Sequence, residues 1–123
     1  MLEEEDYQKL VNEKGAYLLA GLRELQQRHR EVIGDVDGLG LALRIEVCKE
    51  DRITPDRELA DRIFAEGLKG NLEAGGRKYG LVLDVGGYYK NVFTLSPSFA
   101  ITREEMDLAL ELLDQLFRRC RAQ

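Results

Sequence analysis

Residues 32–47 read VIGDVDGLGLALRIEV, and this stretch decides the fold because the spacing of apolar side chains changes here. Val32–Val36 reads as a short strand, and Leu41–Val47 reads as a longer one in which apolar and charged side chains alternate. Asp37-Gly38 between them is a turn signal typical of hairpins. The stretch therefore predicts a pair of antiparallel strands.

Helical periodicity flanks this strand pair. From Glu3 to about Arg30, apolar residues recur at three- and four-residue steps, with acidic residues at the start and basic ones at the end, as the helix dipole favours. Thr54-Pro55 opens a second helix, with the threonine as N-cap and the proline at the first helical position. Its apolar stripe consists of Leu59, Ile63, Phe64 and Leu68. Glycines crowd the stretch from Gly67 to Tyr79, so the end of this helix is not predicted.

Two further strands and a helix follow. The strands are predicted at Leu81–Val85 and Val92–Leu95, and the helix begins with a capping box at Thr102–Glu105. The apolar face of this helix comprises Met106, Ala109, Leu110, Leu113, Leu116, Phe117 and Cys120. The order α-ββ-α-ββ-α predicts an α+β fold, with helices packed on one face of a small, mostly antiparallel sheet. Because no linker interrupts the pattern, residues 1–123 are predicted to form a single domain.

Composition narrows the functional classes. Eighteen Lys and Arg against 23 Asp and Glu give a net charge of −5, which argues against nucleic acid or an anionic membrane as a partner. No apolar run approaches the roughly 20 residues of a membrane span. The acidic N-terminus is unlike a signal peptide, so a cytoplasmic protein is expected. Cys48 and Cys120 are expected to be reduced thiols, and with one histidine in the chain they form no zinc-type spacing.

Several residue patterns suggest chemistry but have simpler structural interpretations. His29 lies at the end of the first predicted helix, where a capping role is favoured over catalysis. Gly38-Leu39-Gly40 lacks the third glycine and the following helix of a dinucleotide-binding loop. Asp35 and Asp37 fit a hairpin better than a carboxylate pair, because no partner acid or metal ligand accompanies them.

Two further clusters, one of arginines and one of tyrosines with a lysine, do not identify a function. Arg118, Arg119 and Arg121 are interpreted as compensation of the last helix's dipole rather than as a phosphate site. Tyr88-Tyr89-Lys90 follows two glycines, and a ligand-contacting hairpin tip is as compatible with this sequence as a solvated one. From residue patterns alone, the chain is a soluble α+β domain without an identifiable active site.

The order of four motifs adds a family resemblance. Residues 33–46 look like the hairpin "IGDVRGLGLMLGIE" of class III pyridoxal-phosphate aminotransferases, the family of the ornithine, 4-aminobutyrate and diaminobutyrate enzymes. Residues 80–97 resemble that family's "GLLL…GG…NVIRLLPPL" segment, and Ile101–Met106 matches its "ITEEEI" helix start. Residues 15–25 are similar to the helix that enters the family's small domain.

The resemblance implies a piece of a larger enzyme. In this family the matching stretch is the C-terminal small domain of a fold-type I enzyme, and the large domain carries the Schiff-base lysine and the groups that bind pyridoxal 5′-phosphate. No lysine of this chain stands in that lysine's motif. The expected partners are the chain's own large domain, a homodimer partner and a small amine or amino-acid substrate. The 123-residue chain alone is expected to bind no cofactor and to be inactive.

Departures from the family pattern identify candidate substrate-binding residues. Thr94 stands in the place of the arginine of "NVIRL", which the family uses to hold a substrate carboxylate, and a hydroxyl lacks that bidentate fork. Lys90 and Arg44 are the two candidate replacement cations, the latter where the family usually has glycine. Asp37 replaces the usual arginine, and the stretch from Gly67 to Tyr79 is longer than usual. The favoured expectation is a substrate without a carboxylate at this position.

Two function hypotheses follow from the sequence. The first is the small domain of a class III aminotransferase, forming one wall of the cleft in which an amino group passes between an amine or amino acid and a 2-oxo acid. The alternative is a stand-alone α+β binding or interaction domain without catalysis.

Overall fold

The computed structural model describes residues 4–121, in which three helices and six strands follow one another along the chain. The predicted helix start at Glu3 lies outside the described residues. The elements are α1 (Glu4–Arg28), β1 (Ile33–Leu39), β2 (Ala42–Val47), α2 (Arg57–Leu68), β3 (Leu72–Ala74), β4 (Arg77–Tyr79), β5 (Asp84–Gly86), β6 (Val92–Leu95) and α3 (Arg103–Arg121). No helix within residues 4–121 is long and apolar enough to cross a membrane.

Four of the strands form one sheet in the order β1-β2-β6-β5, and every neighbouring pair is antiparallel. The predicted α+β class with a small antiparallel sheet is therefore confirmed. The sequence pattern missed β3 and β4, which pair separately as a short hairpin within the glycine-containing stretch. Three-residue strands are too short to show an alternation, which is why the pattern did not reveal them.

The turn of the first hairpin differs from the prediction. It lies at Gly40 and Leu41, between the paired residues Leu39 and Ala42, and not at Asp37-Gly38. Gly40 adopts a positive φ of 58°, which a glycine accepts without steric cost. A Cβ on Gly15 would lie 2.0 Å from the Gly40 carbonyl oxygen, so α1 packs directly on this turn. The turn thus lies where α1 contacts the hairpin, a contact distant in sequence that the local signal at Asp37-Gly38 does not contain.

Of the two predicted helix N-caps, the one at α3 is confirmed and the one at α2 is wrong. At α3 the capping box is confirmed: the Thr102 N–H donates to Glu105 Oε1 at 3.0 Å, and the Glu105 N–H donates to Thr102 Oγ1 at 3.1 Å. At α2 the N-cap is Asp56 and not Thr54, because Asp56 Oδ1 accepts from the Leu59 N–H at 3.0 Å. The Thr54 hydroxyl donates instead to Asp51, within the preceding turn.

Two other boundaries shift for packing reasons. The third predicted strand begins at Asp84 rather than Leu81, because the Leu81 N–H donates to the Gly67 carbonyl at the end of α2. A Cβ on Gly67 would lie 2.2 Å from the Leu81 carbonyl oxygen. This close approach places Gly67 on the buried face of α2, and Leu68 is consequently exposed rather than part of the apolar stripe.

The sheet has two different faces. Val36, Ile45, Phe93 and Val85 are successive cross-strand partners and belong to the apolar core with the helices; we call this side the covered face. One residue further along the strands, Asp37, Arg44, Thr94 and Asp84 are likewise successive partners on the opposite side, the open face. Of these four, only Thr94 is half-buried, and the others are exposed.

Candidate functional site

The candidate site is the polar row across the open face. Arg44 on β2 and Thr94 on β6 are direct cross-strand partners on the two central strands. Asp37 pairs with Arg44 from one edge strand, and Asp84 pairs with Thr94 from the other. Directly opposed residues have Cα atoms about 4.5–5.5 Å apart, so side chains in such a row can act on one ligand.

Arg44 has no carboxylate partner in this arrangement. Among residues 4–121, no Asp or Glu oxygen lies within 4.0 Å of its side-chain nitrogens, although two aspartates share its row. Glu46, two residues along the same strand, accepts instead from the Cys48 thiol at 3.1 Å. Burial and this hydrogen bond raise the pKa of Cys48 to about 12, so the thiol is protonated at neutral pH. The row therefore offers an available guanidinium beside a hydroxyl.

The third candidate, Lys90, is not part of the row. It lies in the β5–β6 turn with φ 55°, and its N–H donates to the Gly87 carbonyl at 3.3 Å. Four residues of extended chain separate it from Thr94, which corresponds to roughly 13 Å. Tyr88 and Tyr89 in the same turn are exposed and stack edge to face, with ring centroids 4.9 Å apart. The structure thus brings Arg44 and Thr94 together and leaves Lys90 at the hairpin tip.

Asp84 is the member of the row that sequence reasoning missed. The sequence pattern places Asp84 in a strand and gives it no role. Its position beside Thr94 follows from the β5–β6 register and not from spacing along the chain. Asp84 can be identified only from the register of that hairpin. In a short hairpin the turn type and loop length specify the register, but the turn here spans residues 87–91 and is too long to do so.

His29 joins two helices and does not line the open face. It is 2% exposed, and its Nε2 lies 2.8 Å from Asp114 Oδ1 while its Nδ1 lies 2.9 Å from Arg121 Nη1. Because a guanidinium only donates, Nδ1 is the acceptor, and Nε2–H donates to the carboxylate. Burial, opposed by the bond to Asp114, holds the pKa of His29 below its usual value. The histidine therefore links the end of α1 to α3, beyond the simple capping role that was predicted.

The basic cluster of α3 is also occupied within the chain. Arg118 pairs with Asp114 at 3.1 Å, Arg119 with Glu66 at 3.4 Å, and Arg121 with Glu31 at 2.9 Å. Lys69 and then Arg119 hold the pKa of Glu66 below its usual range. These arginines connect α3 to the loops and to α2, so their roles extend past compensation of the helix dipole.

Asp35 and Asp37 do not form a metal site. Both are exposed on β1, and Asp37 Oδ1 accepts from the adjacent Gly38 N–H at 2.8 Å. Within residues 4–121, no group of three or more His, Cys, Asp or Glu side chains is arranged to hold a metal ion. Both cysteines are buried and free.

Comparisons with known proteins decide the family. The family model described as "Aminotransferase class-III" matches residues 1–117, which is nearly the whole chain. The chain belongs to the class III aminotransferase family. It is similar to an alanine/serine racemase of Pyrococcus horikoshii, with 30% identity over 118 residues that cover 96% of this chain and 23% of the relative. It is also similar to the mitochondrial alanine–glyoxylate aminotransferase 2 homolog 2 of Arabidopsis thaliana, with 32% identity, covering 93% of this chain and 22% of the relative.

Solved structures agree with this assignment. A Bacillus anthracis aminotransferase superposes with a TM-score of 0.76 and 25% identity, covering 94% of this chain and 25% of that one. An ω-aminotransferase of Paracoccus denitrificans gives a TM-score of 0.74, with 97% and 24% covered, and at 21% identity it supports the fold alone. The class III chain therefore spans about a quarter or less of the length of these relatives.

The class III family implies pyridoxal 5′-phosphate in full-length enzymes, and the described residues do not form a site for it. An aldimine-forming lysine needs an amino group that faces an enclosed pocket. Lys14 is half-buried, but its amino group donates to the Phe99 and Ile101 carbonyls. The remaining lysines are exposed at the surface: Lys9, Lys49, Lys69, Lys78 and Lys90.

Proposed function

We propose that this chain is the small domain of a pyridoxal-phosphate-dependent class III aminotransferase. Two coverages carry the proposal: the family model matches residues 1–117 of this chain, and the matches to the two relatives above span only 23% and 22% of their lengths. The remaining three quarters of such an enzyme would hold the cofactor, which stabilises a carbanion at the substrate when bound. The stand-alone interaction domain is the disfavoured alternative.

The open face is the wall of the substrate cleft in this proposal. The covered face is filled by apolar side chains and the helices of this chain, so it has no room for a substrate. The open face carries polar groups that nothing within residues 4–121 covers. Placed against a large domain, Arg44 and Thr94 would orient a polar group of the substrate, and the sheet would help exclude water from the reacting atoms.

The proposal includes the partners and the compartment. The substrates are a small amine or amino acid and a 2-oxo acid, and the whole enzyme is a homodimer assembled mainly through large domains. A cytoplasmic enzyme is consistent with two free, buried cysteines, which reducing compartments maintain. The 123-residue chain by itself neither binds the cofactor covalently nor transfers amino groups.

The test uses three proteins: the natural-length protein that carries this chain, the same protein without residues 1–123, and the chain alone. Each is incubated with pyridoxal 5′-phosphate, an amino-acid donor and pyruvate or 2-oxoglutarate, and products are separated by chiral chromatography. Amino transfer by the natural-length protein alone supports the proposal. Racemised amino acid without a new amino acid would assign the chain to a racemase instead. A natural product of 123 residues would leave only the interaction domain.

A further inference from the structure

We propose that Arg44 binds a carboxylate of the substrate at the open face, with Thr94 as the neighbouring hydroxyl donor. This inference rests on the proposed function, because it assigns a chemistry to the wall described above. It replaces the expectation of a substrate that lacks a carboxylate at this position. Their cross-strand pairing makes them one binding element.

Position singles out Arg44 among the cations of the chain. It is the one Lys or Arg in the four strands of the described sheet, and it lies on a central strand rather than at an edge. The other guanidiniums with assigned contacts are engaged elsewhere. Arg57 pairs with Asp61 at 3.9 Å, Arg103 lies over the Tyr17 ring at 4.6 Å, and the arginines of the last turn of α3 bind carboxylates as described.

The charges around Arg44 leave its guanidinium available. Three acidic residues lie nearby on the open face: Asp37 across one strand pair, Asp84 beyond Thr94, and Glu46 along β2. None of them approaches within 4.0 Å, and Glu46 is hydrogen-bonded to Cys48. An arginine fork without an internal partner can give both of its parallel N–H bonds to a carboxylate.

The row also limits what the site accepts. Asp37 and Asp84 stand at its two ends, so a second negative group on the ligand would meet like charge on either side. The Thr94 hydroxyl adds one donor beside the fork without adding charge. The substrate class that fits is therefore an amine or 2-oxo acid with a single carboxylate directed at Arg44, whose remaining contacts are apolar or cationic.

The experiment measures selectivity in the natural-length enzyme. The donors are 4-aminobutyrate and propylamine, which have the same amine and carbon chain and differ by the carboxylate. We expect Arg44→Gln to raise KM for 4-aminobutyrate by about 10- to 100-fold, because charge-assisted hydrogen bonds are lost, and to leave propylamine nearly unchanged. Arg44→Lys should recover part of the loss, since it keeps the charge without the fork. Butyrate, which carries a single carboxylate, is tested as an inhibitor, and its inhibition should weaken in parallel.

The control is Arg77→Gln, the same substitution at an exposed arginine on the separate β3–β4 hairpin. Arg77→Gln should change KM for neither donor. Circular dichroism should show that all variants retain the parent fold. An equal loss on both donors, or an unchanged KM for 4-aminobutyrate, overturns the role of Arg44 while the proposed function stands. An unmodified enzyme without amino transfer overturns the proposed function, and with it this assignment.

Discussion

The two faces of the four-stranded sheet differ although alternating residues of the same strands form both. On the covered face, the row through Ile45 and Phe93 is buried and joins the core. On the open face, one residue further along, the row through Arg44 and Thr94 is polar and accessible. Because successive side chains of a strand point to opposite sides, a single register buries one row in the core and exposes the row through Arg44. Stability and the proposed function should therefore be separable by substitution within one strand.

The two sides also differ in whether their polar side chains have partners within the chain. On the helix side, polar side chains have partners within the chain: His29 bonds Asp114 and Arg121, and Tyr17 donates to Asp107. On the open face, Arg44 has no carboxylate partner among the described residues. Buried polar groups need partners to offset their lost hydration, whereas exposed ones do not. An exposed cation without a partner is stable in water, so the proposal that Arg44 meets a ligand rests on its place beside Thr94 in the cross-strand row.

The largest effect should follow from breaking the covered face. Phe93→Ala removes the ring of a fully buried residue on the central strand β6. We expect the free energy of unfolding to fall by about 3–5 kcal/mol, from lost burial and the cavity that remains. Urea denaturation of the 123-residue chain, followed by circular dichroism, measures this change.

The matched control is the next residue on the same strand. Thr94→Val keeps the branched shape on the open face and should change the unfolding free energy by less than about 0.5 kcal/mol. A loss of several kcal/mol for Thr94→Val would mean that both faces carry the fold. The separation of the two faces would then be wrong.

Sequence reasoning predicted the covered face better than the open one. Alternation in β2 and the bounds of β6 followed from local patterns, and the capping box at Thr102 is a local interaction. The first turn is misplaced because α1 packs on Gly40, and the cap of α2 is misplaced because Thr54 bonds to Asp51 while Asp56 accepts from the Leu59 N–H. In the site, Arg44 and Thr94 were identified singly. Their adjacency, and Asp84 beside them, depend on strand register, which a single strand's sequence does not contain.

A second prediction concerns how closely the helix layer approaches the sheet. Gly15→Ala places a methyl group 2.0 Å from the Gly40 carbonyl oxygen, so α1 or the hairpin turn has to move. Overpacking of this kind costs about 1–3 kcal/mol, and it opposes the gain of up to about 1 kcal/mol that alanine gives a helix. We therefore expect net destabilisation in thermal and urea unfolding.

Gly86→Ala is the control for this substitution. A Cβ at Gly86 would meet no atom within 4 Å, and its φ is not positive, so the unfolding free energy should change little. If Gly15→Ala stabilises the chain, helix propensity outweighs the contact, and α1 does not rest on the hairpin turn.

The smallest expected effect is a pH dependence of stability that comes from His29. Burial holds the pKa of His29 below its ordinary value of 6.5, so near that pH the unfolded chain binds more protons than the folded one. The contribution of neutral His29 to stability is complete above about pH 6.5 and is lost as the pH falls through the lower pKa of the folded state. Protonation would also place an N–H of Nδ1 against the Arg121 guanidinium, which is its present hydrogen-bond donor.

His29→Gln isolates this contribution, because glutamine retains one donor and one acceptor and does not titrate. Asp51 and Glu66 have lowered carboxyl pKa values and lose their contributions at more acidic pH in both proteins. Unfolding free energies measured between pH 7.5 and 5 should therefore fall more steeply for the parent than for His29→Gln. Parallel pH profiles would show that His29 does not titrate differently on folding.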